Sequence, residues 1–390
     1  MTHPIEQAIR WALDAVHDPE IRRPITELGM VDEIRVDAEG HASVAIALTI
    51  AACPAAQRIE ADVLEATRET TGVTGAEVTV RVMTGEERAA FIERVRGDRS
   101  RTTHQFGSDS PTRIIAVTSG KGGVGKSSLT ANLAAAMAHE GLTVGILDAD
   151  VFGFSIPAIM GLSRDGRVEQ PTRVGDMILP PIAHEVRVIS IGMFLGDADP
   201  RRTAVSWRGP MLHRTLEQFL TDVWWGDLDV LLLDLPPGTG DIAISLGQLL
   251  PRAEVIVVTT PQPAAADVAV RSALVARQTG QRVIGVIENM SGLAQSDGTI
   301  LDVFGSGGGE AVARLLDESE ADHAASSGGK HYPAPPVPLL GKIPLSPAFR
   351  ELSDGGTPAV LAASGDAAAE QIIAVARHLI ATAKPGTGHR

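Results

Sequence analysis

A doubly wound α/β domain with a mostly parallel sheet, preceded by a small α+β domain, is the fold class this sequence predicts. Three observations carry the prediction. From Arg113 onward, apolar runs recur between helical stretches: IIAVTS, TVGILDAD, VRVISIG, VLLLDLPP, EVIVVTTP and VIGVIENM. Runs rich in Val, Ile and Leu without alternation are what strands buried on both faces of a parallel sheet look like. Residues 1–84 show another pattern, with a helix, two strand-like segments, a second helix and a third strand. Between the two, residues 85–112 turn charged and polar and end RSRTTHQFGSDSPT, a composition that predicts a mobile connection. The domains are expected at 1–84 and 113–385.

In the first domain, Ile5, Ile9, Ala12, Leu13 and Val16 recur at helical spacing and predict a helix over 4–18, stopped by Asp18-Pro19. Strands are expected at 31–36 and 42–49, then a loop containing Cys53-Pro54, a helix over 57–71 and a strand over 76–82. Near the other end, residues 319–338 are rich in Ser, Gly, Ala and Pro and are expected as a surface loop. The final AAAEQIIAVARHLIATAK reads as a packed terminal helix, because Arg377, His378 and Lys384 are too few basic groups for an anionic lipid surface.

Composition narrows the function classes. Of 390 residues, 44% are hydrophobic and 21% charged, values near globular averages. The formal net charge of −14, from 34 basic and 48 acidic side chains, repels a phosphate backbone, so nucleic acid is not an expected partner. No stretch supplies the roughly 20 apolar residues of a membrane span, and the N-terminus lacks a leader pattern. A cytoplasmic protein without stable membrane association is expected. Cys53 is the single cysteine, so an internal disulfide is impossible and one chain cannot build a thiolate metal site alone.

The strongest motif is GKGGVGKSS at 120–128, after the strand IIAVTS and before a helical stretch. It satisfies G-x-x-x-x-G-K-[ST] in the strand-loop-helix context of a P-loop. Glycines let successive N–H groups point at phosphate oxygens, and the helix N-terminus adds donors and a positive dipole end. Lys126 is expected to reach the β- and γ-phosphates, and Ser127 to offer its hydroxyl to Mg²⁺. The candidate nucleotide-binding residues are Gly120, Gly122, Gly123, Val124, Gly125, Lys126, Ser127, Ser128 and Asn289. Asp148, Asp150 and Asp234 close two later strands, where ligands of open α/β sheets gather. Asp234 fits a Walker B carboxylate that holds Mg²⁺ directly or through water; acids in such places also cap helices.

A second lysine, Lys121, begins the loop. With it, the motif resembles the deviant Walker A ATPases, the class of MinD, ParA, the nitrogenase iron protein and the Mrp/NBP35 group. The resemblance implies slow, Mg²⁺-dependent ATP hydrolysis by a homodimer in which Lys121 crosses to the partner's nucleotide. It makes Asp150 the residue that orients the attacking water and puts Asp148 on the metal side. Gly238, Gly240 and Asp241 become a loop that senses the γ-phosphate, and Asn289 an amide that reads adenine. Each has a plainer alternative: a solvated lysine, a turn, a strand-end asparagine.

The blocks GKGGVGKSSLTANLA, LDADVFGFSIP, SWRGPMLHRTLEQFLTDVWWGDLDVLLLDLPPGTGD and IENMSG are similar to Mrp/NBP35 (ApbC) proteins over about residues 112–350. HDPE at 17–20, GMVDEIRV at 29–36 and LTIAACP at 48–54 resemble the MIP18-like (DUF59) domain of iron–sulfur assembly factors. Both resemblances imply an iron–sulfur cluster carrier that hands its cargo to apoprotein clients. The chain departs from the family at 291–298, where a Cys-x-x-Cys is usual and no cysteine stands. Cys53 is then the one thiolate for a cluster, activated by the start of the following helix, or else a small apolar residue in a turn. The rival is a MinD/ParA-like positioning ATPase that switches as a dimer without a cluster.

Overall fold

The computed structural model describes residues 4–51, 53–97, 105–107, 109–151, 153–194, 209–295, 299–326 and 335–383. The chain forms two compact units. One comprises Met1–Thr103, Pro171–Pro180 and Asp222–Gly226; the other comprises His104–Gln170, Pro181–Thr221 and Asp227–Arg390.

In the first unit, α1 (Pro4–Leu13) buries Ile9 and Leu13, one turn apart on a single face. It stops short of the expected residue 18, since the chain turns after Leu13 and the Asp18 carboxylate accepts the N–H groups of Glu20 and Ile21. β1 (Val31–Val36) pairs antiparallel with β2 (His41–Leu48), and α2 (Ala56–Arg68) carries the chain to β3 (Gly75–Val82), parallel to β2. Residues 85–96, expected as part of a connection, are instead α3 (Gly85–Arg96). Thr84 and Glu87 form a capping box at its start, and Arg81 grips the Glu87 carboxylate with two hydrogen bonds of 2.8 and 2.7 Å. Phe91 and Val95, one turn apart, are buried in the same core as Ile9, Ile46 and Val63. Charge along most of EERAAFIERVR concealed this narrow apolar stripe.

The second unit opens with β4 (Arg113–Ser119), α4 (Lys126–His139), β5 (Val144–Asp148), α5 (Ile156–Ile159) and the hairpin β6 (Ser163–Arg164) and β7 (Arg167–Val168). The next hairpin, β8 (Thr172–Val174) and β9 (Met177–Leu179), belongs to the first unit, because Val174, Met177 and Leu179 are buried in that unit's core. A domain running unbroken over 113–385 is therefore corrected.

The chain continues through β10 (Ile182–Ala183), β11 (Val186–Ser190), a 3-10 turn at Ile191–Phe194, α6 (Gly209–Thr221), β12 (Val230–Asp234), α7 (Asp241–Leu249), β13 (Glu254–Thr259) and α8 (Pro263–Gln278). β14 (Arg282–Ala294) turns back onto β15 (Ile300–Leu301) and leads to α9 (Gly308–Ser326) and β16 (Leu339–Leu345). α10 (Pro347–Asp354), α11 (Ala359–Ala362) and α12 (Ala367–Ala381) close the unit. α9 extends into the expected 319–338 loop as far as Ser326, and 327–334 lie outside the described residues.

These strands form a nine-stranded sheet in the order β10-β11-β5-β12-β4-β13-β14-β15, with β16 on β14. All pairings are parallel except β10 with β11 and β14 with β15. β4 is followed by β5 on one side of it and β13 lies on the other, so its carboxyl end is a topological switch point. α4 is buried almost all round, as Leu129, Leu133 and Met137 face the core and small alanines let α12 approach. α12 packs Ile372, Val375, Ala376 and Leu379 inward, the packed terminal helix expected for this segment. Among the described residues no helix is long and apolar enough to cross a membrane.

If α3 is part of the first core, Phe91→Ala costs about 3–5 kcal/mol through the cavity it leaves. Urea unfolding of the first unit followed by a local probe measures this. A cost under about 1 kcal/mol would return 85–96 to the status of a connection.

Candidate functional site

Ser119 ends β4 at the switch point, and the loop that follows curls onto the start of α4. Gly125 is the N-cap of α4 with φ +81°, and a Cβ there would lie 2.2 Å from Asn289 Nδ2. Only glycine satisfies both demands. Gly120 is held by packing instead, since a Cβ would meet the α8 backbone 2.3 Å away at Val268. Gly123, at φ +79°, has open space around it. The loop faces a cavity of 530 Å³ whose walls include Lys121, Gly122, Lys126, Ser127, Asp150 and Asp241. Backbone donors free of side-chain obstruction, at the start of a helix of 14 residues, suit a polyphosphate.

Lys126 is buried, 6% exposed, and its ammonium has carboxylates for partners. Nζ lies 2.9 Å from Asp234 Oδ1 and 3.5 Å from Asp150 Oδ2, and it donates to Ser127 Oγ at 3.2 Å. Ser127 Oγ in turn donates to Asp234 Oδ2 at 2.6 Å. Asp234, with no exposure, also receives Thr130 Oγ1 on Oδ1 at 3.0 Å. A hydroxyl and a carboxylate side by side are the hard oxygen donors that Mg²⁺ takes alongside phosphate and water. The residues therefore fit a metal–nucleotide pair.

Strand register brings the other acids in. Asp148 at the end of β5 stands opposite Asp234 on β12 and Ser190 on β11. Its oxygens face protein donors: Ser190 Oγ at 2.9 Å and the Asp150 N–H at 3.1 Å. The structure thus ties Asp148 to Ser190 and to the backbone that carries Asp150. Asp150 Oδ1 accepts the Gly153 N–H at 3.1 Å, leaving Oδ2 toward Lys126. The Gly238 N–H donates to the Ser119 carbonyl and Ser272 Oγ to the Gly238 carbonyl, tying the 236–241 loop beside the cavity. Lys121 is exposed at the rim. Thr130, Ser190 and Ser272 went unnoticed in the sequence, as hydroxyls whose partners lie far along the chain.

Asn289 is not free to read a base with its whole amide. Nδ2 donates to the Val124 carbonyl at 2.8 Å, so the residue first braces the loop. A second cavity of 500 Å³ opens beside it, walled by Leu293, Pro344, Leu345 and Phe349.

Residues 110–380 match the family model described as NUBPL iron-transfer P-loop NTPase. The chain belongs to this family. As a family member it carries a second match at residues 6–80, to a model described as iron-sulfur cluster assembly protein. A Mycobacterium tuberculosis relative named iron-sulfur cluster carrier protein is 51% identical over 95% of this chain and 92% of its own. A Synechocystis relative of the same name is 35% identical, covering 95% and 96% of the two chains. The solved structure of a nucleotide-binding protein from Archaeoglobus fulgidus in complex with ADP is 32% identical, over 63% of this chain and 87% of that one, with a TM-score of 0.48.

In this member of the NUBPL iron-transfer family, the stretch beyond Asn289 forms a hairpin in which Leu293 and Ala294 pair with Leu301 and Ile300. Residues 296–298 lie outside the described residues. Among the described residues, no group of three or more His, Cys, Asp or Glu is placed to hold a metal. Cys53 is half-buried against the first unit's core. Burial pushes its thiol up, the N–H groups of Ala55 and Ala56 pull it down, and Glu20 and Asp18 add to the rise. The helix start was expected to activate this thiol; burial and two acids outweigh it.

Burial pushes the Asp148 carboxyl well above the usual carboxylate range, with Asp234 adding to the push, and Asp234 is raised by burial too. A carboxyl raised on folding stabilises the fold fully below its unfolded value of about 3.9, and that contribution is lost as pH rises through the folded value. Asp148→Asn removes the loss while keeping an acceptor for Asp150 and a partner for Ser190. Without nucleotide, the variant melts higher than wild type at pH 7 by a few degrees, about 2–4 °C per kcal/mol, and the gap closes toward pH 4. Calorimetry across pH measures it; a variant equally or less stable at neutral pH contradicts the account.

Proposed function

We propose that the protein is an iron–sulfur cluster carrier that binds and hydrolyses ATP as a homodimer in the cytoplasm, coupling the nucleotide cycle to handing its cargo to apoprotein clients. The observation that carries the reading is the set of buried Lys126 and Asp234 with the half-buried Ser127, facing a phosphate-shaped loop. The family and the names of its relatives support the cargo.

In this reading Lys126 leaves Asp234 for the β- and γ-phosphates of ATP. Ser127 and Asp234 would hold Mg²⁺, whose charge would neutralise that of the phosphates. Asp150 orients a water on the γ-phosphorus; the new oxygen–phosphorus bond forms as the β–γ bridging oxygen departs with its electron pair. Lys121 of one copy reaches the nucleotide of the other, bringing a cation to the charge that develops there. Gly238, Gly240 and Asp241 respond to the γ-phosphate. Asn289, with one donor spent on Val124, offers adenine its oxygen and remaining N–H beside the apolar cavity.

Lys126→Ala abolishes turnover and also leaves buried carboxylates unpaired, at a cost of about 3–5 kcal/mol to the nucleotide-free fold. Lys121→Ala retains ATP binding and hydrolyses poorly. Mixed with Lys126→Ala it regains partial activity, because one site of the heterodimer then combines an intact Lys126 with the other copy's intact Lys121. A mixture no more active than either variant alone would mean that Lys121 acts within its own chain.

The cargo has one thiolate per chain, so two copies supply two ligands and a client or small thiol the rest. Anaerobic reconstitution with iron and sulfide is expected to give substoichiometric iron, lost in Cys53→Ala with ATP hydrolysis unchanged. Since the thiol is pushed up, loading increases as pH rises toward the alkaline side of the free-cysteine range. Iron retained by Cys53→Ala would exclude this ligand.

A further inference from the structure

One hydroxyl beyond the nine residues of the P-loop motif touches the central carboxylate. Thr130 lies one turn into α4 with no exposure, its Oγ1 3.0 Å from Asp234 Oδ1 and 3.0 Å from the Lys126 carbonyl. A hydroxyl has a single proton to give. The Lys126 carbonyl is the ordinary acceptor of Thr130's own amide in an α-helix. The carboxylate oxygen is charged, and a bond to an ionised acceptor is about twice as strong as a neutral one. The proton therefore goes to Asp234, the stronger of the two acceptors within reach of Oγ1.

Three donors hold Asp234: Ser127 on Oδ2, and Lys126 and Thr130 on Oδ1. If the cavity takes a metal–nucleotide pair, the reading on which this inference rests, one of them is called away. Lys126 turns to phosphate, whereas the Ser127 hydroxyl can give lone pairs to Mg²⁺ and keep its proton on Oδ2, which leaves Thr130 as the remaining side-chain donor to Oδ1 among the described residues. We propose that Thr130 is the positioning residue that then keeps Asp234 oriented, fixing Oδ1 against α4 so that Oδ2 stays turned to the metal. Thr130 touches neither nucleotide nor metal; it acts through Asp234.

The test measures ADP affinity by calorimetry on the full chain, with and without Mg²⁺, for wild type, Thr130→Val and Thr130→Ser. Wild type binds ADP more tightly with Mg²⁺. Thr130→Val, nearly isosteric, keeps the Mg²⁺-free affinity and loses about tenfold of the Mg²⁺-dependent gain, the scale of one charge-assisted hydrogen bond. Thr130→Ser, which retains the hydroxyl, recovers most of that gain. Should Thr130→Val not fold, Thr130→Ala gives the same comparison, with the unfolding midpoint of each nucleotide-free variant taken in parallel. A Thr130→Val protein with the full Mg²⁺-dependent gain overturns the proposal, and a loss of nucleotide-free stability alone assigns Thr130 to helix packing. Wild type that binds no ADP under either condition overturns the nucleotide-site reading as well.

Discussion

A buried ammonium set between carboxylates is the constraint on which the second unit depends. Asp148 and Asp234 end neighbouring strands in register, so the topology that creates a switch point also crowds acids together. Without Lys126 the cluster would hold only negative charge away from water, at a cost of several kcal/mol per ion. Lys126 can stand there because Gly125 starts α4 at a left-handed backbone, and Gly125 can start it because Asn289 supports the turn from a strand two places along the sheet. Loop, helix and three strands thus serve one charge balance. On the proposed reading, an arriving nucleotide would meet a site already wired for exchange, the ammonium giving up a carboxylate for a phosphate.

Much of this site was legible because its chemistry is local. GKGGVGKSS spells out turn, donor set and cation within nine residues, and the runs ending in Asp148 and Asp234 mark buried strands whose ends must meet it. What escaped depended on distant partners. Nothing near Thr130 signals a hydroxyl bond to a residue 104 positions on. The hydrogen bond to Asp148 from Ser190, on a strand reached through two hairpins, was equally out of sight. For Cys53 the helix start was visible, but the burial that pushes its thiol up, with Glu20 and Asp18 adding to the push, follows from the fold of the first unit.

The same limit applied to architecture. Six strands with uninterrupted apolar runs announced the sheet, whereas α3 shows only Phe91, Ile92 and Val95 among charges, and its capping box at Thr84 and Glu87 was the clue that went unused. The hairpin at 172–179 has short, mixed strands, and its allegiance is decided by which core receives Val174, Met177 and Leu179.

That hairpin changes what the two units are to each other as inherited pieces. The chain leaves the first unit, returns to it at Pro171–Pro180 and again at Asp222–Gly226, and departs each time. They are therefore not beads on a string that recombination can exchange at a linker. A gene shortened to begin at residue 113 would still encode Val174, Met177 and Leu179, now stripped of their core and offered to solvent as an adhesive strip. The first unit, copied alone from residues 1–103, would lack part of its own interior. Either half can be transplanted only by cutting the chain at five boundaries.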